Sequence, residues 1–301
     1  MNIFDLSLRH IMVFNSVAET LSMSKSAQKL YITQPAISQT IKDIEDKFTI
    51  KLFVRKGKNL HLTQEGMDFY VYTKRVINLL EDAQLCLENF NTLNKGCVHI
   101  GASSTIGNYL LPELIKTFNN KYPSIDTTIF IGNTHQVLHK LKLCDIGIAL
   151  IEGIPILNDS RVKITKFIRD EIIFVCSSKN NLADKRVKLS EMESEIFINR
   201  EKGSGTRQII EREIEKLGVH LNTSYEFNNS EAIKNAVLCN LGISALSKLV
   251  VKKELKIGTM KKIEVENIKI ERWFYLLEAG DHNKAQQVFV EHILEYAKNN
   301  Y

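Results

Sequence analysis

At 301 residues the chain is about twice the usual single-domain size, which predicts two or three compact units. An apolar content of 44% beside 25% charged residues fits a soluble globular protein, and the longest apolar runs, such as Ile172 to Cys176, fall far short of the roughly 20 residues a membrane span needs. The net charge of +5 is mild and does not by itself argue for a nucleic-acid partner.

The N-terminus, MNIFDLSLRH, carries Asp5 early and lacks an apolar core followed by small residues. That argues against a secretory signal and predicts a cytoplasmic protein. From about Leu6 to Thr20, Leu8, Ile11, Val13, Phe14 and Val17 follow helical spacing. Ser22 or Ser24 can cap the next helix, which turns Ala27 and Leu30 inward. Thr33 can cap a third helix, with Pro35 in its first turn, where a missing N–H costs nothing. Ala36, Ile37, Ile41, Ile44 and Phe48 supply its buried stripe.

The opposite side of that third helix shows Gln34, Ser38, Gln39, Lys42 and Asp43. Neutral side chains that both donate and accept suit base edges in the major groove. A helix-turn-helix presents the start of its second helix to the bases. Two strand-like pieces follow, Lys51 to Arg55 and Leu60 to Thr63, joined by Lys56-Gly57-Lys58-Asn59 as a hairpin. Lys51, Arg55, Lys56 and Lys58 lie there with no acid between them. A basic hairpin beside a reading helix is a wing that grips phosphates, with Arg55 its anchoring candidate.

These residues resemble the winged helix-turn-helix of LysR-type transcriptional regulators. The resemblance rests on Phe14 with Val17-Ala18-Glu19, Ser26-Ala27-x-x-Leu30, Thr33-Gln34-Pro35-Ala36-Ile37-Ser38, Ile41-x-x-Ile44-Glu45, Leu52-Phe53-x-Arg55 and Leu62-Thr63-x-x-Gly66. Ser26 departs from the family's usual second alanine, and Gln39-Thr40 from a frequent arginine. The expected DNA contacts are Ser24, Thr33, Gln34, Pro35, Ser38, Gln39, Lys42, Arg55, Lys56 and Lys58.

Thr63 can cap a long helix from about Gln64 to Phe90. Phe69, Tyr72, Val76, Leu79, Ala83, Cys86, Phe90 and Leu93 recur in it at spacings of three and four, a seam for packing a second helix. Two-fold operators favour a dimer seam, and the resemblance implies a homodimer or homotetramer. Asn91 to Gly96 reads as a hinge.

From Cys97 the pattern alternates. Val98 to Ala102, Ile125 to Ile131 and Ile146 to Ile151 are strand-like, separated by helices at about Thr105 to Lys121 and Thr134 to Leu143. A second set has strands at Ile172 to Cys176, Ile196 to Asn199, Tyr225 to Asn228 and Ile243 to Ala245. Its helices lie at about Thr206 to Leu217 and Ser230 to Leu238, and a last helix spans about His282 to Ala297. Such alternation predicts parallel α/β sheets in two lobes with a cleft between. Ligands of such lobes sit where strand ends meet helix starts. Gly101 to Thr105, Gly132-Asn133-Thr134 and Glu201 to Arg207 fit, each with backbone N–H groups and hydroxyls that suit an anion.

The resemblance extends here through Ser103 to Pro112, Tyr122-Pro123, Gly132-Asn133-Thr134, Leu150 to Gly153 and Glu201-x-Gly203-Ser204-Gly205-Thr206-Arg207. These look like the branch of the family that includes regulators of sulfur assimilation and of carbon fixation. The implied fold is α/β: an N-terminal winged helix-turn-helix (1–63), a linker and dimerisation helix (64–92), and an effector-binding domain (93–301). That domain is expected to hold two Rossmann-like subdomains of periplasmic-binding-protein type. Subdomain I spans about 97–167 and 268–301, subdomain II about 168–267. The implied effector contacts are Ser103, Ser104, Asn133, Thr134, Glu152, Ser204 and Thr206. Glu152 would repel an anion unless it pairs with Arg200 or Arg207 or takes the ligand's donors.

The function expected is a transcriptional regulator that binds promoter DNA as an oligomer and answers to a small, anionic effector. Sulfite, sulfate or an O-acetylserine-like compound would fit the branch. The alternative is a solute-binding module whose N-terminal helices serve assembly only. No P-loop, H-E-x-x-H or G-x-S-x-G occurs, so neither an enzyme nor a cofactor is expected. His135 and His139 have i, i+4 spacing but no evident third metal ligand. The five cysteines, Cys86, Cys97, Cys144, Cys176 and Cys239, are odd in number, widely spaced and without C-x-x-C, which argues against a zinc or disulfide framework. Cys176 and Cys239 read as packing thiols, with a redox sensor as the alternative.

Overall fold

The computed structural model describes residues 6–57, 59–89, 96–153, 155, 161–280 and 282–301. Two compact units emerge: residues 1–93 with 142–144, and residues 94–141 with 145–301.

The first unit begins with α1 (Leu8–Thr20), α2 (Met23–Leu30) and α3 (Gln34–Phe48). Each starts on a hydroxyl cap: Ser7, Ser22 and Thr33 accept from the backbone N–H groups of His10, Lys25 and Ala36. Ser22 therefore caps α2, and Ser24 stands exposed in its first turn. A β-hairpin follows, β1 (Phe53–Lys56) against β2 (Asn59–Leu62). Gly57 turns it with φ +64°, a conformation that favours glycine. The long α4 (Gln64–Asn89) belongs to the same unit.

Val13, Phe14, Val17, Ile37, Ile41, Ile44, Leu52, Phe53 and Tyr70 form this unit's core. Phe14 is its centre, with ring contacts to Phe53 at 5.5 Å and Phe69 at 4.7 Å. Phe69 is thereby taken out of the expected seam, because the reader's own core uses it. Further along α4, Tyr72, Val76, Leu79 and Leu80 are exposed and form an apolar stripe at spacings of i, i+4, i+7 and i+8. Phe90, Leu93 and residues 91–95 of the expected hinge lie outside the described residues, as does Lys58; Gly96 already belongs to a strand.

The second unit opens with β3 (Gly96–Ser103), α5 (Ser104–Tyr109), α6 (Leu111–Lys121), β4 (Ile125–Gly132), α7 (Thr134–Lys142), β5 (Ile148–Glu152) and the 16-residue β6 (Val162–Ser177). It continues with β7 (Arg186–Val187), a 3-10 turn over Leu189–Met192, β8 (Ile196–Arg200), α8 (Gly205–Glu215), β9 (Asn222–Phe227), α9 (Ser230–Leu238), β10 (Ser244–Ser247) and α10 (Lys248–Ile257). The end is β11 (Met260–Val265), β12 (Ile270–Ala279) and α11 (Lys284–Asn300). The helix expected over Thr105 to Lys121 is two helices that meet at Leu110, with Pro112 in the first turn of α6. A proline there has no N–H to carry the first helix through.

The sheets are mixed, not parallel throughout. β3 pairs in parallel with β4 and β5, and β8 with β9. β12 runs antiparallel to both β5 and β6, and β10 and β11 run antiparallel to β6. Two long strands cause this. β6 and β12 pass side by side from one lobe into the other, with an irregular register between Phe274 and Tyr275. Phe274 lies in the core of Val98, Ile100, Leu150 and Phe289; four residues earlier, Ile270 lies in the core of Ile172, Phe197 and Ile243. The residue between them on the same face is Arg272. Among the described residues no helix is long and apolar enough to cross a membrane.

Candidate functional sites: a reading helix and a two-lobed cleft

In the first unit, Gln34, Pro35, Ser38, Gln39 and Lys42 are all exposed on α3, and Thr33 is exposed at its cap. The capping bond fixes the backbone at the helix start, so these side chains project from a pinned turn. The side chains of Gln34 and Ser38 make no hydrogen bond to another described residue, which leaves their side-chain donors and acceptors available. Gln39 differs: its amide donates to Asp43 at 2.7 Å, one turn on. Its amide group is therefore partly engaged within the helix. Arg55 and Lys56 are exposed on the wing, with no ion-pair partner among the described residues. Lys51, from the same basic run, is bound to Glu45 at 2.7 Å.

Glu45 shows how wing and helix are joined. It is buried, and one carboxylate oxygen accepts from the backbone N–H groups of Leu52 at 2.9 Å and Phe53 at 3.2 Å. The start of the hairpin thus hangs on a side chain of the reading helix. Glu19 does the same for the helices, pairing with Lys29 of α2 and Lys74 of α4 at 2.7 Å each. Burial opposes ionisation of Glu19, but the hydrogen bonds from both lysines outweigh it and hold its pKa below the usual value. Ser26, the departure from alanine, is fully buried, and its hydroxyl shares a hydrogen bond with Thr20 at 2.7 Å. That satisfies the extra polar atom.

In the second unit the seven residues expected around an effector fall at the ends of β3, β4, β5 and β8. Ser103 and Glu152 meet: the hydroxyl donates to the carboxylate and accepts from the Glu152 backbone N–H. Ser104 donates to the Gly132 carbonyl at 3.1 Å and accepts from Arg200 at 3.4 Å. Thr134 donates to the Glu152 carbonyl at 2.8 Å and accepts from the N–H of Gly205 at 3.2 Å. The start of α7 therefore touches the start of α8 across the lobes. His135 N–H also donates to the Gly203 carbonyl at 3.2 Å. Glycine is required for this approach: a Cβ on Gly205 would stand 2.1 Å from the Glu152 carbonyl oxygen.

Asn133 caps α7 through a reciprocal pair with Gln136, both bonds 2.9 Å. Ser204 caps α8. Thr206 accepts from Arg272 at 2.7 Å. Ser103, Ser104, Thr134, Ser204 and Thr206 are all buried, as is Glu152 at 1% exposure; Asn133 is half-buried. The cleft is closed on itself.

Neither arginine considered for Glu152 pairs with it. Arg200 is buried and engages Glu201 through Nε and Nη2, Ser230 through Nη1 and Ser104 through Nη2. Arg207 pairs with Glu211 at 2.7 Å and Glu226 at 2.5 Å. Burial works against its charge, but those two hydrogen bonds prevail and raise its pKa. Each guanidinium is held by acids of its own lobe, so none is left over for Glu152. Its carboxylate is held by the Ser103 hydroxyl, with no cation within ion-pairing distance among the described residues.

Sequence reasoning missed Arg272, Asp170, Ser230 and Glu45's role. Arg272 stands in Ile270-Glu-Arg-Trp-Phe274, an alternating run in which a charge occupies an inward position. That misplaced charge was the available signal.

His135 and His139 are exposed, and no group of three potential metal ligands occurs among the described residues. Cys176 is buried, which pushes its thiol pKa up to about 11, against a reactive thiol. Cys239, expected to pack, is instead exposed at the end of α9.

A winged helix-turn-helix with a long helix in one unit, and a two-lobed α/β unit in the same chain, is the build of a ligand-responsive DNA-binding protein. Residues 8–67 match the bacterial regulatory helix-turn-helix protein, lysR family, and residues 91–298 match the LysR substrate binding domain. The chain belongs to the LysR family of transcriptional regulators. It is a regulator and not an enzyme, and a solute-binding module with merely adhesive N-terminal helices is set aside.

It is 29% identical to the HTH-type transcriptional regulator CysL of Bacillus subtilis (strain 168), over 92% of this chain and 93% of that protein. It is 31% identical to a probable RuBisCO transcriptional regulator of Cyanidioschyzon merolae, over 94% and 95%. The sulfur and carbon-fixation branches expected from sequence are thus both among its relatives. The regulatory domain of CcmR from Synechocystis PCC6803, in complex with 2-PG, superimposes with a TM-score of 0.64 at 23% identity, covering 68% of this chain and 99% of that one.

Proposed function

We propose that this regulator works in the cytoplasm as a two-fold oligomer, a dimer or tetramer, and that a small acidic effector held between the lobes of its second unit changes its grip on promoter DNA. Gln34 and Ser38 read base edges, with Gln39 restricted by Asp43. Ser24, Thr33, Pro35, Lys42, Arg55, Lys56 and Lys58 set the helix and wing on the phosphates. The exposed Tyr72, Val76, Leu79 and Leu80 stripe of α4 is the surface that a second copy would cover.

The observation that carries the effector reading is the meeting of two helix starts, Thr134 of α7 and Gly205 of α8, at 3.2 Å across the lobes. Both ends carry partial positive charge, so an oxyanion between them is favoured. Ser103, Ser104, Asn133, Ser204 and Thr206 would exchange their present hydrogen bonds, to Glu152, to Gly132 and Arg200, to Gln136, to Arg207 and to Arg272, for bonds to the ligand. Glu152 would take a hydroxyl or amine donor of the same molecule. CcmR's ligand 2-PG supports the reading by analogy of fold. Ligand and DNA bias one another only if the states they favour differ.

The test is an anisotropy titration on DNA upstream of the chain's own gene, at two salt concentrations. Affinity should fall steeply with salt, and Arg55→Ala should flatten the dependence by about one unit of slope per head. Gln34→Ala or Ser38→Ala should narrow the gap between specific and random DNA. Ser104→Ala and Thr206→Val should bind DNA normally but lose the response to effector. Normal responses in both would remove the cleft from the account.

A further inference from the structure

Two guanidinium groups are buried at the cleft, and they differ in one respect. Arg200 has all three of its nitrogens engaged, by Glu201, Ser230 and Ser104. Arg272, on β12, does not. Its Nε donates to Asp170 at 2.7 Å and its Nη1 to Thr206 at 2.7 Å. Its Nη2 is buried and has no acceptor among the described residues. Asp170 does not supply one: its Oδ2 takes Nε and its Oδ1 accepts from Ser247 at 2.8 Å, and neither oxygen is within hydrogen-bonding reach of Nη2. A buried charged donor without a partner is rare in native proteins and asks for one.

Its position says what the partner is. Arg272 sits where β6 and β12 cross between the lobes, paired in register with Asp170. The residues on either side of it along the inward face, Ile270 and Phe274, belong to the cores of opposite lobes. Through Thr206 it is bound to the first turn of α8, the helix whose start meets α7. The free nitrogen therefore belongs to the same polar network as the closed lobe contact. An ordinary strand crossing would be apolar here, because burying an ion pair costs more than burying two aliphatic side chains.

We propose that Arg272 receives the acidic group of the effector through Nη2. This rests on the cleft reading above and deepens it: the effector carries a carboxylate, sulfate or phosphate at the strand crossing. With Glu152 taking a donor of the same molecule, the effector is a bifunctional acid bearing a hydroxyl or amine. Binding would couple the two lobes, because Arg272 lies on the crossing strand and Thr206 on α8.

The experiment uses the full-length chain with four probes: sulfate, phosphate, acetate and 2-PG. Thermal shift and calorimetry give affinities. Crystals soaked in selenate give an independent position by anomalous scattering. For the probes that stabilise the wild type, Arg272→Lys should weaken binding about tenfold, because the ammonium keeps the charge but loses the planar fork. Arg272→Met should abolish it. Arg169→Lys, an exposed neighbour on β6, should bind as wild type. The selenate peak should lie within hydrogen-bonding distance of Nη2.

Arg272 also holds Asp170, so far-UV circular dichroism must show each variant folded; if Arg272→Lys unfolds, the selenate position decides. A folded Arg272→Lys that binds like wild type overturns the assignment, as does selenate seated elsewhere in the cleft. So does a wild type that none of the four probes stabilises and that shows no selenate at Arg272. If Ser104→Ala and Thr206→Val lose the response while Arg272→Lys keeps it, only this inference falls. If no cleft variant changes the response of DNA binding, the functional reading itself falls.

Discussion

The reading helix and the cleft handle their polar groups in opposite ways. On α3, Gln34 and Ser38 are exposed and uncommitted, while the helix beneath them is fixed by a cap and a core. In the cleft the hydroxyls of Ser103, Ser104, Thr134, Ser204 and Thr206 are buried and already bonded, those of Ser104 and Thr134 to groups of the opposite lobe. The reader is prepared before its partner arrives, so binding reorganises little. On the proposed reading the cleft would have to break its own bonds to admit a ligand, and that exchange would let the ligand alter the protein. A surface that recognises can be rigid; a site that regulates needs two arrangements close in free energy.

Removing the reader's rigidity should give the largest effect. Glu45→Ala strands two buried backbone N–H groups and is expected to cost about 3 kcal/mol, from one to three for each unmet donor with partial relief by water. Glu45→Gln keeps an acceptor and should recover most of the loss. Urea unfolding followed in the N-terminal unit checks this. If Glu45→Ala were neutral, the hairpin would not depend on α3.

Disturbing the cleft's closure should come next. Gly205→Ala places a methyl carbon against the Glu152 carbonyl and the Thr134 hydroxyl, at 2.1 and 2.7 Å before relaxation. The lobes must part, at a cost of about 2 kcal/mol. Hydrogen exchange should rise at residues 133–135 and 203–206 and stay unchanged in α3. Exchange that rose equally in both regions would erase the contrast between them.

The smallest effect is a dependence on pH in the scaffold behind the cleft. His292 of α11 hydrogen-bonds Thr117 of α6 at 2.9 Å. Burial is the main cause that holds its pKa below the ordinary 6.5. The unfolded chain thus binds the proton first, so stability is full above 6.5 and is lost as pH falls through the folded value. A small dip in Tm between neutral and mildly acidic pH should flatten in His292→Gln. A dip of the same size in that variant would assign it to other groups.

Much of the reader was legible in sequence because its determinants are local. Thr33, Pro35 and the Ile37, Ile41, Ile44 stripe lie within one short helix, and helical spacing exposes them directly. Phe69 escaped, since periodicity cannot tell a core contact from an oligomer seam. In the cleft, the strand ends bearing Ser103, Thr134 and Glu152 were visible as glycine- and hydroxyl-rich breaks. Their hydrogen-bond partners were not. Arg272 reaches Thr206 from 66 residues away in sequence, and β12 went unread because its charged inward position broke the expected apolar pattern. The mixed sheet was hidden for the same reason: antiparallel return strands depend on pairing over long separations, which alternation of elements does not encode.

The direct test of separate, differently built sites is one anisotropy titration. A labelled fragment of the DNA upstream of the chain's own gene is titrated with wild type, Gln34→Ala and Ser104→Ala, each with and without the acid that best stabilises the wild type. Wild type should change affinity on adding the acid. Gln34→Ala should bind the fragment more weakly yet keep the same fold-change with acid, whereas Ser104→Ala should bind like wild type and show no change. A Ser104→Ala that responded fully, or a Gln34→Ala that bound normally but stopped responding, would contradict the account.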